Sequence, residues 1–361
     1  PIAESLPDTT RKELKISMNH LGLGDGRFEF HNYRRYPEKT TPEDIFDVGH
    51  LRFADIQIDI DKLFFTEEVL TAELENLSFE EGSGFVVEKL AAKDALVSNR
   101  TTILNDMELI TPFSKLGDTL VFKYREIWDY NDFPNKVIMD ARLQKSQVAL
   151  KDIMMFAPKM KENAFFAKNR DELLKIEGRL LGKVNNLRGK DLNIRIGNST
   201  YFRGNFSSRN LNIKNEEALN FKVDRLLTDI KTLRLLVTRI DPTANFDKLG
   251  QLDFSGRFDG FLVDFVAYGE LISNLGKAEM DMRMDLRNGR EGANYRGGLS
   301  LINFDLGAWS GNKDLGMITF KSEVKEGKGL TLASVDAKLG AVIDQFSFRG
   351  YSYENVTMDG R

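Results

Sequence analysis

Successive side chains of a β-strand point to opposite faces of its sheet, so a half-buried strand reads as alternating apolar and polar residues. That alternation dominates this chain. In ADIQIDI, Ala54, Ile56, Ile58 and Ile60 share one face, and Asp55, Gln57 and Asp59 share the other. In KVIMDARLQ, Val137, Met139, Ala141 and Leu143 oppose Lys136, Asp140, Arg142 and Gln144. Leu192, Ile194 and Ile196 alternate with Asn193 and Arg195. KAEMDMRMDL sets Ala278, Met280, Met282, Met284 and Leu286 against Glu279, Asp281, Arg283 and Asp285. Each segment predicts a strand with one greasy and one charged face. Asp25-Gly26, Asp259-Gly260, Asn288-Gly289 and Gly297-Gly298 read as the short turns of antiparallel neighbours. Leu-Gly pairs recur at irregular spacing, which argues against a strict-period solenoid.

Helical patterning is rare. Thr228 is placed to cap a short helix through TDIKTLRLLV, and Asn169 to Leu181 (NRDELLKIEGRLL) reads as a second. KDIMMFAP is a third, ended by Pro158. We expect these as clasps on a sheet. The Lys-rich run KMKENAFFAKNRDELLK marks 161–180 as an insertion or hinge, flanked by 1–160 and 181–361 as two parts of one continuous architecture.

Composition narrows the function. With 361 residues and 41% hydrophobic content the chain has ample material for a core. Lys and Arg total 51 against 55 Asp and Glu, a net charge of −4, so the whole chain carries no field that seeks nucleic acid. There is no cysteine, which removes disulfides, thiolate metal sites and Cys nucleophiles. No window approaches the roughly 18 to 20 apolar residues that cross a bilayer, GFLVDFVAYG being short and carrying Asp264. From the Pro1 start and the TMDGR end we expect a piece of a longer protein.

Catalytic chemistry is not visible. His20, His31 and His50 have no metal-binding spacing, and GLGDGRF lacks the Gly-Lys-Ser/Thr and helix of a phosphate loop. YFRG, YRGG and SFRG place Arg203, Arg296 and Arg349 between an aromatic and a glycine; these read as solvated strand-end charges or as partners for a lipid or sugar phosphate. Asn-X-Ser/Thr patterns carry no weight in an Asn-rich chain. The charged residues are dispersed, whereas a β-helical lyase or hydrolase needs them clustered on adjacent strands. No catalytic residue, metal or cofactor is expected.

The apolar rows leave two readings open. One is the packed face of an ordinary sandwich or β-helix. The other is an open lining for acyl chains, to which polarizable Met is suited. The candidate lining residues are Ile56, Ile58, Ile60, Val137, Met139, Leu143, Leu192, Ile194, Ile196, Met280, Met282 and Met284.

The run LGQLDFSGRFDGFLVDFVAYGELISNLGKAEMDMRM resembles the TamB group of bacterial envelope proteins, the inner-membrane subunit of the translocation and assembly module, in its Bacteroidetes form. GHLRFADIQIDIDKL, TPFSKLGDTLVFKY, NDFPNKVIMDARLQKSQVALKDIMMFAP, LGKVNNLRGKDLNIRIGNSTYFRG and FSFRGYSYENVTMDG carry the same likeness. With the AsmA-like group, the resemblance implies an all-β fold, an elongated and mostly antiparallel U-shaped sheet (a β-taco) with a hydrophobic concave face and a few short helices. It implies a periplasmic conduit for phospholipid between the inner and outer membranes of a Gram-negative bacterium, or a scaffold for outer-membrane barrel assembly. Phospholipid acyl chains and an outer-membrane barrel protein would be the partners. Membrane anchoring would lie in segments absent from this chain.

Overall fold

A computed structural model describes residues 14–33, 44–47, 49–211, 213, 216–236, 244–331 and 333–360. The chain divides between Leu143 and Gln144 into two compact units. The first holds β1 (Lys15–His31), β2 (His50–Thr66), β3 (Val69–Glu81), β4 (Val86–Ser98), β5 (Thr101–Ile110) and β6 (Lys115–Lys123), each paired antiparallel with the next. A 3-10 turn, Ile127–Asp132, and α1 (Phe133–Lys136) follow, and β7 (Ile138–Ala149) runs across the boundary.

The second unit opens with α2 (Leu150–Phe156), a 3-10 turn at Pro158–Glu162 and α3 (Ala164–Lys168). An antiparallel meander follows: β8 (Leu173–Lys183), β9 (Asn186–Ile196), β10 (Thr200–Arg209) and β11 (Ala218–Asp229). After α4 (Ile230–Leu236) and a 3-10 turn at Ala244–Leu249 come β12 (Gln251–Phe261), β13 (Asp264–Ser273), β14 (Gly276–Asp285) and β15 (Asn294–Asp305). α5 (Leu306–Ser310) leads into β16 (Leu315–Lys328), β17 (Asp336–Phe348) and β18 (Tyr351–Gly360). The expected all-β, antiparallel architecture with a few short helices is what the structure has.

Alternation builds these strands, but β-bulges interrupt it. Asp55 (φ 51°), Lys62 (φ 50°), Asp106 (φ 46°), Asp191 (φ 50°) and Asn303 (φ 48°) all lie inside strands in the left-handed region, where Asp and Asn are the best tolerated non-glycine residues. Each extra residue bends its strand and flips the facing beyond it. The bulge at Asp55 therefore puts Phe53, not Ala54, on the face of Ile56: the Phe53 ring meets Phe79 at 4.9 Å and Phe28 at 6.2 Å. Asp25-Gly26 and Gly297-Gly298 likewise lie within β1 and β15 rather than in turns.

Two further expectations change. NRDELLKIEGRLL is no helix, because from Leu173 it forms β8, pairing Leu174, Ile176 and Leu180 with Ile196, Ile194 and Gly189; tertiary pairing overrides the helix propensity of Glu and Leu. The cap of α4 is Asp229, whose carboxylate accepts from the Thr232 N–H at 2.8 Å. Thr228 is still strand, 1% exposed, its hydroxyl 3.4 Å from that of Thr200.

Helices α2 to α5 occupy connections at one end of the second unit's ladder, and they pack on the apolar face there. Leu150, Met154 and Phe165 close over Leu174 and Ile196. Ile230, Leu249, Leu252 and Phe304 form a second cluster with Leu271, Leu301 and Trp309. Away from that end, no helix covers the face among the described residues.

Close strand approach requires glycine at position 297. Gly297 has φ 129°, opposes Met282, and a Cβ there would collide with the Asp281 carbonyl oxygen. Its neighbour Gly298 has room, with Ser322 O 3.8 Å away. Gly297→Ala should lower stability by about 1–3 kcal/mol, read as a shift in urea midpoint. Gly298→Ala should stay within about 0.5 kcal/mol of the parent.

Candidate functional site

Following cross-strand partners through the registers shows how the apolar residues are organised. In the first unit, Leu23 pairs with Ile58, Ile58 with Leu77, Leu77 with Leu90, Leu90 with Leu109, and Leu109 with Leu116. A row of six large aliphatic side chains thus crosses six strands on one face. Beside it, Leu21, Ile60, Leu74, Ala92 and Met107 make a second row, and Ala72, Ala95, Leu104 and Leu120 a third. Ala92, Ala95 and Met107 are buried, while the larger leucines around them stay only partly covered. Trp128, in the segment after β6, stacks on Phe30 of β1 at 6.5 Å, so this segment reaches back across the ladder to its first strand.

The second unit repeats the arrangement over eleven strands. One row runs Ile176, Ile194, Phe202, Leu226, Phe254, Leu271, Ala278, Leu301, Phe320, Ile343 and Val356. A second runs Phe206, Phe221, Phe258, Ala267, Met282, Gly297, Val324 and Leu339, with aromatic neighbours at 6.0 Å (Phe206 and Phe221) and 6.4 Å (Phe221 and Phe258). Met280 and Met284 flank Met282 on the same face, pairing with Leu299 and Tyr295. Most residues of these rows are half-buried. Their strand neighbours shield them laterally, and no second sheet is packed on them among the described residues of the unit.

The sequence candidates fall into two groups. Ile56, Ile58, Ile60, Met139, Ile194, Ile196, Met280, Met282 and Met284 are partly exposed. Val137 and Leu192 are 0% exposed and Leu143 8%, so protein neighbours enclose them. Val137 precedes β7 as the C-cap of α1, its N–H bonded to the Phe133 carbonyl. The leucines of β3 to β5 were missed in the sequence because bulges break their alternation, whereas the phenylalanines of β10 and β12 sit in unbroken alternation and are joined into rows only by the cross-strand register. The spacing of Phe202 and Phe206, four residues apart and so on one face of a strand whose neighbours β9 and β11 carry the extra residues, was the available signal.

The opposite faces carry the charge. Glu108 bonds Lys115 at 2.6 Å and Lys89 at 3.0 Å across β4, β5 and β6, and these hydrogen bonds hold its carboxyl down at about 2. Asp253 takes the Arg225 guanidinium at 2.8 Å, and Arg283 reaches Asp264 at 3.4 Å. The two faces therefore differ as oil and water do, with the alternation of each strand as the cause.

One histidine gains partners that sequence spacing hides. His20 Nδ1 lies 2.9 Å from Asp61 Oδ1 and 3.4 Å from Asp59 Oδ1 across β1 and β2, on the outer face. All three groups are substantially exposed, and the arrangement is that of an imidazolium between carboxylates. The hydrogen bond to Asp61, then the charge of Asp59, raises the His20 pKa above its ordinary 6.5.

No protein-family model, no characterised protein sequence and no solved structure matches the chain.

Because the folded pKa of His20 is raised, whatever this cluster contributes to stability is present below pH 6.5 and is lost as pH rises through the higher folded value. An NMR titration should find the His20 midpoint above 6.5, and Asp61→Asn should bring it back toward that value.

Proposed function

We propose that this protein is a non-enzymatic conduit for phospholipid, with the uncovered apolar face of each unit as the wall along which acyl chains lie and the headgroups kept in water at its margin. The observation that carries this reading is the continuity of the rows: Leu, Ile, Phe and Met repeat from strand to strand with no second sheet over them among the described residues, short helices meeting them only at one end of the second unit. Each CH₂ removed from water gains about 0.8 kcal/mol wherever it rests on such a lining. Successive rows offer similar gains, so a chain can be held without a single deep site and can slide. Met280, Met282 and Met284 add side chains that adapt to an irregular occupant. The resemblance to the TamB and AsmA-like proteins, whose β-taco would use its face in this way, supports this reading, and with it we propose that the activity belongs to the Gram-negative periplasm, between inner and outer membranes, in outer-membrane biogenesis.

A second reading, a scaffold for outer-membrane barrel assembly with a barrel partner, has its own observation. β18 pairs only with β17 among the described residues, and all ten of its positions are exposed, leaving a strand edge open to augmentation by another chain. In that reading the apolar face is incidental.

An inward charge separates the two. Ile58→Asp and Met282→Arg should each reduce co-purified phospholipid, and its transfer between vesicles, to about a tenth or less, since a desolvated charge opposes acyl burial by several kcal/mol. Arg283→Asp, on the opposite face, should leave both unchanged. Wild-type lipid content and transfer in both inward variants would refute the conduit and leave the scaffold.

A further inference from the structure

The charged faces are not uniform. Strands β8 to β10 carry eight Lys and Arg against two carboxylates, Glu177 and Asp191, in a chain where acids outnumber bases overall. The register sets these cations on one face, opposite Ile176, Ile194 and Phe202. It also places like charges directly across from each other, Lys175 against Arg195 and Arg179 against Lys190. Such pairs destabilise a sheet by themselves. Like pairs recur elsewhere in the unit, Lys222 against Arg257 and Arg283 against Arg296, but those strands also hold cations that meet carboxylates, as Arg225 meets Asp253, Arg283 meets Asp264 and Lys277 meets Glu270 and Glu279.

Lys145 of β7 joins this face. Together with Lys175, Arg195, Ser146 and Asn193 it lines a shallow depression of about 360 Å³, in which Glu177 is the only carboxylate. Lys145, Lys175, Lys190 and Arg195 make no ion pair among the described residues. Arg195 instead lies over the Tyr201 ring, 5.6 Å from its centroid.

We propose that this basic face of β7 to β10 docks on a surface of phosphate groups, the anionic headgroups of a lipid leaflet. Charge complementarity supplies the attraction, and the phosphates relieve the repulsion between the opposed cations. The cations are spread over several neighbouring strands, which suits a planar array of anions better than one linear polymer. Single-stranded nucleic acid also needs aromatic platforms for its bases, and on these three strands this face offers Tyr201 alone, already covered by Arg195. Anionic leaflets attract basic segments electrostatically, with each Lys or Arg near the surface worth about a fivefold change in affinity. The inference does not rest on what occupies the apolar face.

The test is flotation of the full chain with phosphatidylcholine vesicles with and without phosphatidylglycerol, together with an oligonucleotide and inorganic phosphate as soluble probes. Binding should require phosphatidylglycerol and weaken as salt shortens the Debye length. The triple variant Lys175→Gln, Lys190→Gln and Arg195→Gln should bind about a hundredfold more weakly. The triple variant Lys321→Gln, Lys325→Gln and Lys328→Gln, with the same loss of charge on β16, should bind within about twofold of the parent. Met282→Arg should bind vesicles normally even where it loses lipid cargo, so this proposal and the conduit fail separately. No binding to anionic vesicles, equal loss in both triple variants, or binding to the oligonucleotide or free phosphate in place of vesicles would overturn the proposal.

Discussion

In each unit a strand's apolar face has little to lie against except the same face of the strands on either side. In a sandwich, a leucine is buried by the opposing sheet and gains about 1.5–3 kcal/mol when fully removed from water. Here Leu77, Leu90 and Leu109 obtain part of that from lateral neighbours and keep the rest exposed. Stability therefore comes from register. A slip of one residue would turn a row of leucines toward water and bring Lys89 and Glu108 onto the apolar side. The bulges at Asp55, Asp106, Asp191 and Asn303 keep the rows aligned while the strands bend.

The same constraint accounts for the helices. An uncovered apolar face is exposed most severely at strand ends, where lateral neighbours run out. In the second unit α2 and α3 close over Leu174 and Ile196, while α4, α5 and the 3-10 turn at Ala244–Leu249 enclose Leu252, Phe304 and Trp309. Short helices suffice because they cover an end rather than a face. The remaining half-exposed surface is stabilisation left unrealised by folding alone, and an acyl chain on it would recover that stabilisation. Fold and proposed function thus draw on the same surface.

Much of this was legible in the alternation, because a two-residue period is a local property. The Ile set at 56, 58 and 60 and the Met set at 280, 282 and 284 share their faces as read. What failed was whatever depends on more than one strand. No local rule marks Asp55 as a bulge, so Ala54 was grouped with Ile56 where Phe53 belongs. The Leu and Glu of NRDELLKIEGRLL favour a helix in isolation, and only pairing with β9 makes them β8. Asp229 and Thr228 are both acceptable caps, and the buried hydroxyl contact with Thr200 decides between them. The His20, Asp59 and Asp61 cluster and the opposed cations of β8 and β9 are likewise products of register, invisible until the strands are laid side by side.

Two adjacent residues of β14 test the central claim. Met282 and Arg283 differ by one position in sequence and by a full face in the sheet. A photo-crosslinking residue placed at each in turn, irradiated in cells and followed by mass spectrometry, should yield a covalent phospholipid adduct at 282 and none at 283. Adducts at neither site in folded protein, or equally at both, would contradict the account, making the Met row either a packed core or a surface no more lipid-bearing than its opposite.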